Sequence, residues 1–168
     1  MLPRRTVLAS TLLLPLPAAA QSLNDHSPSR IVGAWSLIDA RTFSSEGEAS
    51  PWRKMQAPLN GLIVYDPSGM MSVQICGSRQ RLSKDTDFLA LPDAQQLPYL
   101  HSYYAYFGRY IFDPVHSTVS HFVTSALDPS EIGRTYLRSV QIQDDTVTLT
   151  TPKSAQGLHN VLRWRRTA

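Results

Sequence analysis

The chain has 168 residues, of which 42% are hydrophobic and 17% are charged. This is the length of one domain, too polar for a membrane bundle and too apolar for a disordered tail. The single cysteine, Cys76, excludes an intramolecular disulfide and a cysteine-based zinc site, and the five histidines lack ligand-type spacing. The sequence also contains no glycine-rich phosphate loop and no dinucleotide fingerprint. We therefore expect neither a metal nor a cofactor.

Residues 1–20 have the pattern of a cleaved signal peptide. Arg4 and Arg5 form a basic head, residues 7–16 are an apolar run, and alanines at 18–20 offer a cleavage site before Gln21. The run is too short for a bilayer, which needs about 20 helical residues, and the adjacent arginines resemble a twin-arginine signal. We expect a soluble exported protein, most simply periplasmic. Loss of the two arginines leaves 14 basic against 13 acidic residues, a net charge of +1 rather than +3.

The mature chain has the periodicity of strands. Residues 21–30 are polar and include Pro28, so we expect a flexible leader before a single domain at 31–167. In that domain, short β-branched and aromatic runs are separated by turn residues. The predicted strands are residues 33–43, 60–65, 70–76, 104–112, 118–125, 134–141, 146–151 and 158–166. Eight antiparallel strands either stack as a sandwich or close into an up-and-down barrel, which holds packed side chains or one small ligand.

One long segment interrupts the strand pattern. Residues 83–102 show no alternation of polar and apolar residues and contain two prolines, Pro92 and Pro98. The segment predicts a short helix that begins after Leu91, with Pro92 in its first turn. Long insertions in compact domains are usually lids or plugs. We therefore expect a mostly β protein with one short helical lid segment.

Several segments together resemble a known family. They are Gly33-Ala34-Trp35, GLIVYDPSGMMSVQ at 61–74, YYAYFGRY at 103–110, TVSHFV at 118–123, IGRTYLRSV at 132–140 and LRW at 162–164. In aggregate they are similar to the bacterial and fungal lipocalin-like domain family, over about residues 31–166. The resemblance implies an eight-stranded antiparallel up-and-down barrel with a cavity and, for most members, no established activity.

The Gly-x-Trp at 33–35 resembles the lipocalin signature. In that signature the tryptophan seals the barrel floor and an arginine of the last strand packs on its face. The resemblance implies that Trp35 closes this barrel and that Arg163 or Arg165 is its cation–π partner. These arginines and Arg166 alternate with apolar residues, a pattern that favours an end strand with a solvated face over a nucleic-acid patch.

Aromatic residues are densest in the fourth predicted strand. By strand alternation, one face carries Tyr104, Tyr106, Tyr110 and Phe112, with Gly108 between them. The glycine leaves room for the close approach of a ligand or of another strand at a barrel bend. The row either lines a ligand pocket with phenol hydroxyls or simply fills the barrel, and the sequence leaves both interpretations open. The four aromatic residues are our candidate ligand-binding residues, together with His121.

His121 is also the leading candidate for chemistry. It shares a strand face with apolar residues, and the neighbouring strands could bring Tyr106 and Arg138 alongside it. Such a group could act as acid or base on a bound substrate, whereas the alternative is a hydrogen-bonded structural histidine. We therefore list His121, Tyr106 and Arg138 as candidate catalytic residues.

Three hypotheses about function follow. The first is a binding protein for a small hydrophobic or amphipathic molecule, because no recognisable catalytic set is present. The second is an isomerase or cyclase whose acid–base residues lie inside the barrel. The third is a structural or adaptor protein with a filled interior. The sequence predicts neither a nucleic-acid partner nor a stable membrane span, and it leaves the oligomeric state open.

Overall fold

The computed structural model describes residues 30–167, so the predicted signal peptide and the leader up to residue 29 lie outside the described residues. The described strands are β1 (Gly33–Phe43), β2 (Ala49–Pro51), β3 (Asn60–Tyr65), β4 (Met70–Cys76), β5 (Tyr103–Asp113), β6 (Thr118–Ala126), β7 (Thr135–Gln143), β8 (Thr146–Thr150) and β9 (His159–Arg166). One α-helix, α1 (Asp93–His101), and 3-10 turns at Trp52–Lys54, Phe88–Ala90 and Pro129–Glu131 lie between them.

The sheet closes on itself. Long strands pair antiparallel in chain order from β1 and β3 through to β9, and β9 pairs back with β1 from Trp35↔Arg166 to Phe43↔His159. Closure pairs both edges that an open sheet would leave free for aggregation. The prediction of an eight-stranded antiparallel up-and-down barrel is confirmed. The sequence did not predict β2, which is three residues long and pairs only with the end of β1.

Alternation along the strands builds the interior. In β4, for example, Met71, Val73 and Ile75 are buried while the residues between them are partly or fully exposed. The same two-residue period places the β5 and β9 side chains at Tyr104, Tyr106, Leu162 and Trp164 inside the barrel. The core is therefore a single cluster enclosed by the sheet.

The two ends of the barrel are built differently. At the end where β1 begins, which we call the floor, the strands are joined by short turns at residues 66–69, 114–117 and 144–145. At the opposite end, the mouth, the connections are the longer segments 44–59, 77–102, 127–134 and 151–158. Variable loops on one end of a rigid scaffold are where binding residues are usually found. The connections therefore point to the mouth as the functional end.

Gly108 is required by a bend in the sheet. The pairing of β5 with β6 shifts register between Phe107 and Gly108, and a Cβ at Gly108 would overlap the carbonyl oxygen of Phe122. The sequence left open whether Gly108 makes room for a ligand or for another strand, and the structure shows that it makes room for the neighbouring strand β6.

Candidate ligand cavity

The floor is sealed by a tryptophan and an arginine. Trp35 is fully buried, and its Nε1 donates to the carbonyl oxygen of Ile31 at 2.9 Å. The guanidinium of Arg166 lies 4.0 Å from the centre of the Trp35 ring. Arg166 also donates to the carbonyl oxygens of Val32 at 2.7 Å and Arg30 at 2.6 Å. These contacts fix the segment before β1 to the last residue of β9.

The partner of Trp35 is thus Arg166, in place of the expected Arg163 or Arg165. The reason is strand parity: Trp164 points inward, so Arg166 shares its face, whereas Arg163 and Arg165 point outward and are exposed. Arg165 instead lies 3.5 Å from Asp145 on the barrel surface. The buried side of β9 predicts the correct residue once Trp164 is assigned to the core.

Above the floor the barrel contains a cavity of about 650 Å³ that opens at the mouth. The side chains of the barrel therefore do not fill its interior. Its walls differ in character. Strands β3, β4, β8 and β9 supply the apolar side chains Ile63, Val73, Ile75, Leu149, Leu162 and Trp164. Strands β5 to β7 and the turn before β7 supply the polar ones, Tyr104, Tyr106, His121, Glu131, Arg134, Tyr136 and Arg138. On the apolar side, Thr42 and Asn160 add polar side chains near the mouth.

His121 lies deep in the polar wall between two tyrosines. It is 1% exposed, and its Nδ1 is 2.7 Å from Tyr106 Oη while its Nε2 is 2.8 Å from Tyr65 Oη. Tyr65 is fully buried and does not line the cavity, whereas Tyr106 does. Three strands, β3, β5 and β6, therefore converge on one imidazole.

Burial sets the protonation of this cluster. Desolvation, followed by the positive charge of Arg138, lowers the pKa of His121 to about 3. Desolvation also raises the pKa of Tyr106 and that of Tyr65 well above the usual range for a phenol, although Arg138 opposes both shifts. At neutral pH the imidazole and both phenols are uncharged. The cluster can donate and accept hydrogen bonds, but its members are not poised to exchange protons near pH 7.

The three candidate catalytic residues His121, Tyr106 and Arg138 all line the cavity. The Arg138 guanidinium lies 5.1 Å from the centre of the Tyr136 ring, and its Nη1 donates to the carbonyl oxygen of Leu137 at 3.0 Å. The sequence-based grouping of these residues therefore corresponds to one region of the structure.

The aromatic row of β5 divides between cavity and floor. Tyr104 and Tyr106 line the cavity, but Tyr110 and Phe112 do not. Tyr110 packs edge-on against Tyr65, with ring centres 4.8 Å apart, and donates to the carbonyl oxygen of Asp66 at 3.0 Å. The four residues share one face of an eleven-residue strand, and only the two tyrosines nearer the mouth reach the cavity.

An ion pair at the mouth was not predicted from the sequence. Glu131, which is buried, accepts from Tyr104 Oη at 2.9 Å and from Arg53 Nη1 at 3.3 Å. The Arg53 guanidinium also lies 4.4 Å from the centre of the Tyr104 ring. Arg53 and Lys54 both have left-handed backbone conformations, with φ of 50° and 56°. The polar character of the connection 44–59 was the only signal in the sequence. Nothing in the residues around Arg53 indicates that its side chain contacts Glu131 across the barrel.

The helix α1 lies within the segment predicted to form a lid, and it begins directly after Pro92. None of its residues lines the main cavity; Leu97 and Leu100 instead face Arg53 and Met55 across a separate surface groove. The residues of the mouth connections that line the cavity are Trp52, Arg53, Glu131, Arg134, Thr151, Pro152, Ser154, Gln156 and Leu158. The helix therefore flanks the mouth without contributing to its lining.

Two further properties concern residues 30–167. No helix in this range has the length and apolar character needed to cross a membrane. Within the same range, no three His, Cys, Asp or Glu side chains are grouped closely enough to hold a metal ion.

Comparison with known proteins assigns the family. A family model described as a lipocalin-like domain matches residues 32–167. No curated protein matches the chain. Similar solved structures include crystal structures of two mutants of the fluorescent protein UnaG, each 14% identical to this chain. The matches cover 83% of this chain and 98% and 97% of the UnaG chains, with TM-scores of 0.37 and 0.36. Since the family model spans most of the sequence, the chain belongs to the lipocalin-like domain family.

Proposed function

We propose that this protein binds a small amphipathic molecule inside its barrel. The observation that carries the proposal is the division of the cavity into an apolar wall and a polar wall. Pockets for small molecules are usually about 300–1,000 Å³, mostly apolar, with a few placed polar groups. The cavity of about 650 Å³ falls within that range. A guest with one apolar and one polar part would match both walls.

Protonation favours binding over acid–base catalysis. A general acid or base works best when its pKa lies near the working pH. The pKa of His121 is lowered to about 3, and burial moves the pKa of Tyr106 away from neutrality in the other direction. Both nitrogens of the imidazole are already engaged by phenol hydroxyls. The polar wall is therefore suited to holding a ligand in one orientation.

Phenylnaphthylamine, a neutral dye that fluoresces in apolar surroundings, provides a test of binding in the interior. We expect wild type to bind it, and we expect Leu149→Trp to weaken binding at least about tenfold, because the indole would protrude from the apolar wall. Thr148→Trp is the matched control, since Thr148 is adjacent in β8 and pairs with Arg163 on the outer face. Its dye affinity should equal that of wild type.

Urea unfolding of both variants verifies that each is folded in the titration. Failure of wild type to bind the dye, or equal weakening by the two tryptophans, contradicts a binding site inside the barrel. If Leu149→Trp fails to fold, Val73→Trp replaces it in the same comparison, because Val73 belongs to the same apolar wall.

An isomerase or cyclase activity is a second candidate, favoured by the convergence of His121, Tyr106 and Arg138 in one cavity. Hydrogen bonds from Tyr106 and Arg138 would polarise a carbonyl of the guest without requiring a group that titrates near pH 7. Small molecules that co-purify with the protein would be incubated with it in deuterated water. Protein-dependent deuterium incorporation, lost in Tyr106→Phe, supports catalysis, whereas an unchanged molecule supports binding alone.

We also propose that the protein is exported to the periplasm. The basis is the basic head, the short apolar run and the alanines of residues 1–20. Expression of the full chain followed by cell fractionation should recover a periplasmic protein whose mass corresponds to a chain beginning at Gln21. Replacement of Arg4 and Arg5 by lysine should block export if the twin-arginine pathway is used. An uncleaved protein retained in the cytoplasm would contradict export.

A further inference from the structure

The hydrogens of the Tyr65–His121–Tyr106 chain can be assigned by counting acceptors. In the described part of the protein, the only acceptor within hydrogen-bond distance of the Tyr65 hydroxyl is His121 Nε2, at 2.8 Å. Tyr65 is fully buried and outside the cavity, so no solvent can accept its proton. A buried donor without an acceptor costs roughly 1–3 kcal/mol. Tyr65 therefore donates to Nε2.

This assignment fixes the imidazole tautomer. A neutral histidine carries one ring proton, so an Nε2 that accepts from Tyr65 leaves the proton on Nδ1. Nδ1 then donates to Tyr106 Oη, which lies 2.7 Å away. The hydroxyl proton of Tyr106 cannot be directed to Nδ1 and has no protein acceptor among the described residues. Because Tyr106 lines the cavity, that proton is available to a guest.

Arg138 supplies an unneutralised charge in the same wall. Among the described residues, no carboxylate lies within ion-pair distance of Arg138, and its side chain donates only to the Leu137 carbonyl oxygen. Among residues 30–167, three arginines and one glutamate line the cavity, and the glutamate, Glu131, is paired with Arg53. Arg134, the third, is exposed and donates to the Ser130 carbonyl oxygen. The interior of the cavity therefore carries excess positive charge.

We propose that Tyr106 and Arg138 form an oxyanion subsite, that His121 holds Tyr106 as a donor, and that the ligand is an amphipathic organic anion. The proposal rests on the proposed ligand-binding function and specifies the chemistry of its ligand. A guanidinium and a phenol donor together suit a carboxylate or a sulfonate, since charge-assisted hydrogen bonds are the stronger ones. The apolar part of such a guest would lie against the β3, β4, β8 and β9 wall.

A matched pair of dyes tests the charge preference. Anilinonaphthalene sulfonate and phenylnaphthylamine share the same ring system, and only the first carries an anionic group. We expect wild type to bind the sulfonate at least about tenfold more tightly than the neutral dye. Equal affinities, with both dyes bound inside the barrel, overturn the anion subsite while leaving the proposed binding function intact. If neither dye binds, both the proposed binding function and the anion subsite are overturned.

Variants locate the preference at the subsite. Arg138→Gln should weaken the sulfonate about tenfold or more and change the neutral dye less than about threefold, while Arg138→Lys should retain most of the preference. Arg163→Gln removes the same charge from the outer face of β9 and should leave both affinities unchanged. Tyr106→Phe, which keeps the ring and removes the donor, should selectively weaken the sulfonate. Equal effects of Arg138→Gln and Arg163→Gln would overturn the assignment.

The tautomer has a readout that does not depend on any dye. Nitrogen-15 NMR of histidine-labelled protein distinguishes a protonated ring nitrogen from a bare one. His121 should be protonated at Nδ1 and bare at Nε2 at neutral pH, and its signals are those lost in His121→Gln. A ring protonated at Nε2 and bare at Nδ1 would accept the Tyr106 proton, and it would show that Tyr106 is not held as a donor to the cavity. If the variant does not fold, His121 is identified as the histidine whose ring signals do not shift with pH near neutrality. The one-bond nitrogen–hydrogen coupling then shows which of its ring nitrogens is protonated.

Discussion

Two arginines inside the barrel, one at the floor and one in the cavity, are satisfied very differently. Arg166 lies on the face of Trp35 and donates to two backbone carbonyls. Arg138 lies near the face of Tyr136 and donates to a single carbonyl of its own strand. The floor arginine thus makes two hydrogen bonds to the chain and a contact with a buried ring. The cavity arginine makes one hydrogen bond and keeps more donors for a guest or solvent. Side chains of one type serve the fold at one end and recognition at the other.

The connections show the same division. Turns of two to four residues join the strands at the floor, where Trp35 is sealed by backbone contacts. Segments of eight residues or more join them at the mouth, where Arg53 reaches Glu131 across the barrel. Substitutions at the floor should therefore change the free energy of unfolding, whereas those at the mouth and in the polar wall should change the affinity for a ligand or the rate at which it dissociates. The predictions below test that separation.

The largest expected effect is at Trp35. Trp35→Ala removes a fully buried indole, its hydrogen bond to Ile31 and the surface on which Arg166 packs. We expect the free energy of unfolding to fall by about 4 kcal/mol, as for other buried tryptophans. Urea unfolding followed by circular dichroism measures it. A loss below about 1 kcal/mol would show that the floor is not where the barrel gains its stability.

A smaller loss is expected at Arg166. Arg166→Met retains apolar packing on Trp35 but loses two charge-assisted hydrogen bonds and the cation–π contact, for a cost of about 2–3 kcal/mol. Arg165→Met is the matched control, because Arg165 is 63% exposed and its ion pair with Asp145 is a surface one. The control should cost less than about 0.5 kcal/mol. Equal losses in urea unfolding would contradict the parity that places Arg166 inside.

The floor and the strands illustrate what the sequence predicts well. All eight long strands lie where the two-residue alternation of apolar side chains placed them, because each strand has one buried and one exposed face. The same alternation, anchored on Trp164, would have selected Arg166 rather than Arg163 or Arg165. That error was one of parity, and it reverses the face of every residue in the strand.

The cavity was less predictable, for a different reason. His121, Tyr106 and Arg138 could be grouped because they occupy adjacent strands. The contact of Glu131 with Arg53 joins segments from opposite sides of the mouth, and the left-handed backbone at Arg53 has no local sequence signal. Tyr65, which completes the histidine cluster, carried no polar pattern that distinguished it from a core tyrosine. Long-range side-chain contacts of this kind depend on barrel closure.

Acid should destabilise the protein through His121. An unfolded histidine has a pKa of about 6.5, whereas the native pKa is about 3. Between these values the unfolded chain binds a proton that the native state does not, so stability present above pH 6.5 is lost as the pH falls towards 3. We expect a loss on the order of 1 kcal/mol per pH unit between about pH 6 and pH 4.

The measurement is the urea unfolding free energy across that pH range. His121→Gln should remove this part of the slope, while His116→Gln should keep it, because His116 is 76% exposed beside Asp113. Comparing the slopes of the two variants separates the histidine from carboxylates that titrate lower. If His121→Gln keeps the full slope of wild type, His121 is not the buried neutral group that the polar wall requires.

The smallest effect on stability, and the one most specific to the mouth, is expected at Arg53. Arg53→Ala breaks an ion pair whose arginine is 42% exposed, so unfolding should change by less than about 1 kcal/mol. The same side chain lines the cavity and reaches Glu131, so its removal should speed dye dissociation about three- to tenfold in stopped-flow measurements. Lys54→Ala is the control, because Lys54 has the same left-handed backbone but does not line the cavity. Both substitutions replace a left-handed residue by alanine, so a difference in dissociation rate between them comes from the contact that Arg53 makes across the mouth. Equal dissociation rates would mean that the Arg53–Glu131 ion pair does not slow the release of the dye.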